Sequence, residues 1–342
     1  MTNKKFKLAA MSLATAVAVS AVGPSASAVT YYLGDGSVTV DMDEERGAYS
    51  YQGEDGSRTY VNEDKADNGV IYVKDGNAPT EEVPPTTDNS DNSDNGTEVP
   101  TPTDHTTDSS ADNTENSSTS ETTTGNTITV MEDVKKTEKT DGTEGNDVKI
   151  VVDSVNADTS ETGKSTVTIG EGADVDLTVK DSNLTTGGHG IDIGVNLEGK
   201  DENKGANVDL TLDNTQINLT QNGKAGINVQ DNSDVDLTLK GENVIDGSKA
   251  IENEKENILK NNVNVEGIRV GDGGASDGSG TSEGANTKLT ISGGVEKTET
   301  AETDTEETES PAGGSLTISD TTGGLVMADG SDVEITDGAD VT

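Results

Sequence analysis

The chain contains no cysteine and no tryptophan, and only 2% of its 342 residues are aromatic. Without cysteine there are no disulfides, so order must come from packing, backbone hydrogen bonds or bound ions. Apolar residues make up 28%, against roughly 45–50%, on a count that includes Gly, in a conventional globular domain. That deficit excludes one large compact core and predicts segments that differ in order. Positive charge is scarce as well: 23 Lys and Arg stand against 66 Asp and Glu, for a net charge of −43. Nucleic acid is excluded as a partner, because phosphate binding needs clustered basic side chains. An anionic membrane surface is excluded on the same ground. Cations and neutral polar ligands remain. The plainer account of the charge is solubility of an exported protein.

Export itself is written at the start. Lys4, Lys5 and Lys7 form a basic region, Leu8 to Val22 an apolar run, and Ala26-Ser27-Ala28 a small-residue cleavage site at Ala26 and Ala28. This is the pattern of a secretory signal over residues 1–28, too short for a membrane span. No Cys follows the apolar run, so a lipid anchor is not expected. The expectation is a secreted or cell-surface protein with no membrane insertion after signal removal.

All six Tyr fall between Tyr31 and Tyr72. Over 29–77, short alternating runs (SVTVDM, AYSYQ, GVIYV) are separated by Gly-Asp and Asp-Gly turns, which predicts a small separate β domain of hairpins. Residues 78–127 are almost wholly Thr, Ser, Asn, Asp, Glu and Pro. Such a segment buries too little surface to offset its ordering entropy and reads as a disordered spacer. His105 within it is a solvated residue. A second acidic, low-complexity insert occupies 295–312.

Between them an eleven-residue phrase recurs: DVDLTVKDSNL from Asp174, NVDLTLDNTQI from Asn207 and DVDLTLKGENV from Asp234. Within each copy the aliphatic residues alternate, as in Val175, Leu177 and Val179. A period of two means strands with one buried face. Further along come Leu184, Ile217 and Val244, then a third element in GIDIG (190–194), GINVQ (226–230), AIENE (250–254) and VEGIRVG (265–271). Three short strands in about 25 residues leave no room for helices. They fit one coil of a parallel β-helix, each coil stacked on the last. The predicted fold is therefore all-β, a right-handed parallel β-helix over 128–342, with glycines such as Gly190, Gly205, Gly223 and Gly226 at its corners. An antiparallel sandwich is the alternative, but it does not account for matched positions at the same offset in every copy.

In such a stack Asp176, Asp209 and Asp236 share one outward column, and Asp174, Asn207 and Asp234 the next. Oxygen ligands about 4.8 Å apart are suited to Ca²⁺, which takes 6–8 oxygens. The candidate metal residues are thus Asp174, Asp176, Asp209, Asp234 and Asp236. The competing reading is a solvated acidic face that discourages aggregation. The Gly/Asp-rich loop at 271–286 matches no EF-hand or nonapeptide calcium pattern.

The stretch 207–247 resembles a bacterial carbohydrate-binding domain family of clostridial type. The resemblance rests on Val208, Leu210, Leu212, Ile217, Gly226-Ile227, Val229, Val235, Leu237, Leu239 and Gly241-Glu242-Asn243-Val244. It implies a right-handed parallel β-helix, bound calcium and polysaccharide binding, with no catalytic role. The chain departs from a usual sugar-binding surface in having no aromatic residue after Tyr72. Glycan contacts on the repeats then fall to Asp, Asn, Gln and Thr. Three functions compete: a non-catalytic polysaccharide binder, an adhesive or structural solenoid, and a polysaccharide lyase. A lyase wants a carboxylate-bound Ca²⁺ beside a basic side chain. Arg269, the one Arg of the repeats, has no recognisable acidic constellation in the sequence, and His189 has no Ser, Cys or second His near it. The expectation is a protein that is not an enzyme.

Overall fold

The computed structural model describes residues 29–43, 45–53, 57–60, 70–79, 122–132, 134–135, 148–199, 204–255, 263–271, 286–294, 313–336 and 338–342. The signal segment with Ala26 and Ala28, His105, most of the spacer, the insert 295–312 and most of the 271–286 loop lie outside the described residues. One compact unit takes in Met1–Ala78 and Glu121–Thr342, and Pro79–Ser120 is a second. Every described strand belongs to the first unit.

Five strands come first: β1 (Val29–Tyr32), β2 (Val38–Asp43), β3 (Gly47–Gln52), β4 (Thr59–Tyr60) and β5 (Val70–Lys74). Next are β6 (Thr123–Thr124), β7 (Ile128–Val130), β8 (Val148–Asp153), β9 (Asn156–Asp158) and β10 (Val167–Gly170). The repeated phrase forms β11 (Asp174–Lys180) and β12 (Asn183–Thr186), then β14 (Asn207–Asp213) and β15 (Gln216–Leu219), with β13 (Ile191–Val195) between the two copies. β16 (Lys224–Val229), β17 (Asp234–Lys240) and β18 (Glu242–Asp246) lead to a short helix α1 (Ser248–Asn253). After it come β19 (Val265–Val270), β20 (Lys288–Gly293), β21 (Ser315–Ser319), β22 (Gly323–Met327), β23 (Asp332–Thr336) and β24 (Asp340–Val341).

These strands make three largely parallel sheets, visited in rotation from β5 onward. The first sheet runs β1-β5-β8-β11-β14-β17-β20-β23, the second β6-β9-β12-β15-β18-β21-β24, and the third β2-β7-β10-β13-β16-β19-β22. β3 and β4 add antiparallel strands to the β2 edge of the third sheet. The architecture is all-β and parallel, and no described helix is long and apolar enough to cross a membrane.

Alternation sets the core. Val175, Leu177 and Val179 of β11 stack on Val208, Leu210 and Leu212 of β14, and these on Val235, Leu237 and Leu239 of β17. All nine are buried. At about 1.5–3 kcal/mol for each fully buried aliphatic side chain, this column contributes substantially to cohesion, alongside the buried aliphatics of the other two sheets. Opposite it, Leu184 of β12 pairs with Ile217 of β15, and Ile217 with Ile245 of β18. The sequence pattern puts Val244 in that place. Copy three carries one extra residue at the corner, so Asn243 turns inward and Val244 outward. Buried Asn243 accepts the Thr215 N–H at 3.0 Å and donates to the carbonyls of Lys240 and Ser315.

Three further expectations are corrected. The residues 29–77 do not form a separate sheet of hairpins: β1 pairs with β5, β5 with β8 and β2 with β7, all parallel and in the sheets of the repeats. The spacer ends before residue 127, because Thr123-Thr124 pairs with Ala157-Asp158. AIENE belongs to α1 and not to a strand, whereas VEGIRVG is β19, in register with GINVQ. The acidic segments 80–121 and 295–312 connect β5 to β6 and β20 to β21, both from the first sheet to the second.

One corner explains part of the Asn, Asp and Gly punctuation. Between first and second sheets Ser154, Asp181, Asn214 and Gly241 take φ of 57, 48, 50 and 60°, a left-handed conformation that Gly, Asn and Asp tolerate best. Gly226 has a different reason for being small and is not at a corner. It lies inside β16, where an added Cβ would sit 2.5 Å from Ile245 Cγ2 and 2.9 Å from the Gly267 carbonyl oxygen.

Candidate functional site

Charged columns stand on the outward face of the first sheet and a mixed polar row on that of the third. On the first sheet the register pairs Asp176 with Asp209 and Asp209 with Asp236. It also pairs Asp174 with Asn207 and Asn207 with Asp234. The expected columns are thus brought together, but basic and amide groups sit among them. Lys149 on β8 reaches Asp176 at 3.0 Å, Lys288 on β20 reaches Asp234 at 3.4 Å, and the Asn207 amide donates to Asp174 at 3.1 Å. Asp234, beside it, holds the Lys288 ammonium above its ordinary pKa. A neighbouring column alternates in charge: Lys74, Asp153, Lys180, Asp213 and Lys240. Among the described residues no three His, Cys, Asp or Glu converge as a metal-binding group. The five candidate ligands Asp174, Asp176, Asp209, Asp234 and Asp236 are therefore spread along a surface. A cation there would take most of its six to eight oxygens from water or from a ligand.

The third sheet is different. Its outward row passes through Tyr51, Thr39, Thr129, Thr168, Asp192, Asn228 and Arg269, each beside the next. Although they face outward, Asp192 is only 9% exposed and Asn228 only 6%. The Asp192 carboxylate accepts the Asn228 amide at 2.8 Å, the Gln230 amide at 3.1 Å and the Ser165 hydroxyl at 3.4 Å. Arg269 pairs with the buried Glu266, and its guanidinium also donates to the Gly223 carbonyl at 3.4 Å. His189 packs beside them, accepting the Ala225 N–H on Nδ1 at 3.0 Å. Burial lowers its pKa to about 4, against the opposing pull of Asp192. It is therefore neutral near pH 7, with its proton on Nε2.

At the β2 end of the same face lie aromatic rings. Tyr49 and Tyr51 stack with centroids 5.9 Å apart, and Tyr60 tilts against Tyr49 at 5.5 Å. Arg58 lies 4.5 Å over Tyr49 and Arg46 lies 5.1 Å over Tyr60. The Tyr49 hydroxyl donates to Asp41 at 2.9 Å, and burial together with that bond pushes its pKa up to about 12.

No family model, curated protein or solved structure matches the chain.

Much of this site is not evident from the sequence. Arg269, expected to stand without an acidic neighbour, has a partner in Glu266, three residues earlier on the same strand. Asp192, Asn228 and Gln230 carry no role in the sequence pattern as read from the strand phrase. Their signal is nonetheless present, since GIDIG, GINVQ and GIRVG place Asp192, Asn228 and Arg269 at the same offset after glycine. Chemically the row offers amide and guanidinium donors and carboxylate acceptors at strand spacing, the set that matches hydroxyl-rich ligands.

Proposed function

We propose that the chain is a secreted or cell-surface, non-catalytic polysaccharide-binding protein, built as a right-handed parallel β-helix. Rotation of consecutive strands through three parallel sheets supports the β-helix, since each stacked coil supplies one strand to each wall. The basic, apolar and small-residue segments over 1–28 support export.

The observation that carries the binding function is the Asp192–Asn228 row with its flanking Gln230. Carboxylate and amides are held there in fixed geometry on the outward side of the sheet, nearly buried among their own partners, and a sugar hydroxyl would bind by exchanging one of those hydrogen bonds. A non-catalytic role is supported by Arg269, whose guanidinium is engaged by Glu266 and so is a poor base. Calcium would be held at the Asp columns of the first sheet, a face separate from the Asp192–Asn228 row, with water or a second stretch of glycan completing its coordination.

The test is retention of the full chain in native gels cast with polysaccharide, with and without chelator, beside Asn228→Ala. Retention that weakens in the variant supports the reading, and migration unaffected by every polysaccharide removes it. Unsaturated products absorbing in the ultraviolet would convert the assignment to a lyase. A purely structural solenoid is favoured by one observation, the charge-alternating Lys74–Lys240 column, which neutralises its own surface.

A further inference from the structure

An aromatic cluster stands at the end of the third sheet, its rings packed on one another and under guanidinium groups. Six Tyr are present in the chain; Tyr31 packs into the central hydrophobic core with its hydroxyl bonded to Ser50, and Tyr49 is buried as well. Tyr49, Tyr51 and Tyr60 stand on the outer face of the antiparallel flank β2-β3-β4. All three Arg of the chain, Arg46, Arg58 and Arg269, also lie on this sheet or its turns. Two of the rings already carry a guanidinium, Arg58 on Tyr49 and Arg46 on Tyr60. Among the described residues no cation lies over Tyr51, which is half-buried and begins the row leading to Asp192.

We propose that Tyr51 is the stacking platform of an extended glycan subsite, and that the ligand is a neutral linear polysaccharide lying across the strands from Tyr51 to Asp192. The inference rests on the polysaccharide-binding reading and adds to it a second contact, a direction and a ligand class. Direction follows from the register. Four strand steps separate Tyr51 on β3 from Asp192 on β13, through Thr39, Thr129 and Thr168. At about 4.8 Å per step the two ends are about 19 Å apart. Threonines between them leave a low floor with hydroxyls, so a chain spans the gap without meeting a bulky side chain.

Ligand class follows from ring chemistry and charge. A tyrosine ring offers large amphipathic area to the apolar face of a sugar. Arg46 and Arg58 sit beside Asp41 and Asp43, whose carboxylates accept from Tyr49 and Tyr60. The flank therefore shows no excess positive charge, and the chain as a whole carries −43. A polyanion approaching it is repelled over a Debye length of about 8–10 Å. Neutral sugars are not.

The test is calorimetric titration of the full chain with β-1,4-linked gluco- and xylo-oligosaccharides of two to six sugars, with polygalacturonate as the charged comparator. Six sugars are expected to bind at least about tenfold more tightly than two, because only the longer chain engages both ends. Tyr51→Ala and Tyr51→Leu are each expected to lose about tenfold in affinity for the six-sugar ligand, while Tyr51→Phe retains it. The leucine variant keeps apolar bulk, so unchanged melting with lost binding separates stacking from folding. Equal binding of two and six sugars, unchanged affinity in Tyr51→Leu, or preference for polygalacturonate overturns the inference while leaving polysaccharide binding intact. Failure of the wild-type chain to bind any of these glycans overturns both.

Discussion

Asn228 lies directly beside Asp192 on the adjoining strand and donates its amide to the Asp192 carboxylate at 2.8 Å. In the first sheet carboxylates face carboxylates, as Asp176 does Asp209. Together with Gln230 and Ser165 the amide at position 228 satisfies the nearly buried Asp192 side chain, since a buried polar group left without partners is costly.

Replacing that amide by a carboxylate reverses the interaction. Asn228→Asp is expected to lower stability by about 2–3 kcal/mol near neutral pH, through like-charge repulsion at a buried pair. The pair then binds a proton more readily folded than unfolded, so its pKa is raised in the folded state. Stability is kept below the ordinary Asp value and lost as pH rises through the raised value. Denaturant melts across pH 4–8 should show the variant falling further behind the wild type as pH increases.

His189 produces the opposite slope. Its pKa is about 4 folded against 6.5 unfolded, so the unfolded chain binds more protons between those values and stability rises with pH across that window. The upper bound is about 3 kcal/mol. His189→Gln removes this titration, and its stability curve should be flatter than that of the wild type between pH 6.5 and 4. An unchanged curve would mean that the imidazole charges in place.

The glycine column of the third sheet makes a graded prediction. Cβ atoms at Gly190, Gly226 and Gly267 would meet Ile217, Ile245 and Ile318 methyls at 2.4, 2.5 and 2.4 Å, whereas nothing lies within 4 Å at Gly324. Alanine at any of the first three should cost about 1–3 kcal/mol, as overpacked cores do. Gly324→Ala should cost little, and thermal melts of the four variants rank the contacts.

Corner conformation is separately testable. Asn214 holds φ of 50° between β14 and β15. Asn214→Ala should lose about 1–2 kcal/mol, and Asn214→Gly much less, because only the former places a Cβ in a left-handed residue without a local hydrogen-bonding side chain.

For the Asp columns, calcium without glycan is expected to raise the melting temperature no more than sodium chloride at equal ionic strength, because no three acidic groups converge there among the described residues. Asp209→Asn, in the middle of a column of three, should leave that calcium response unchanged. A calcium-specific rise that Asp209→Asn abolishes would restore a metal site at this column.

Much of this molecule is legible along the chain. Alternation in VDLTV, VDLTL and VDLTL separates Val175, Leu177 and Val179 from Asp174, Asp176 and Thr178, because side chains of a strand point alternately to its two faces. Repetition at fixed offset locates the Asp columns for the same reason. Tertiary structure decided the rest. Whether Val244 or Ile245 faces inward depends on one extra corner residue, which local periodicity does not register. Pairing of β2 with β7 and of β5 with β8 unites segments separated by the whole spacer, and no local pattern encodes such a partner. The same is true of the outward face of the third sheet. Tyr51 and Asp192 stand 141 positions apart in sequence, yet one antiparallel and three parallel strand pairings place them four strands apart on one sheet. Composition and period belong to the chain itself. Neighbours across strands exist only once the backbone hydrogen bonds have chosen a register.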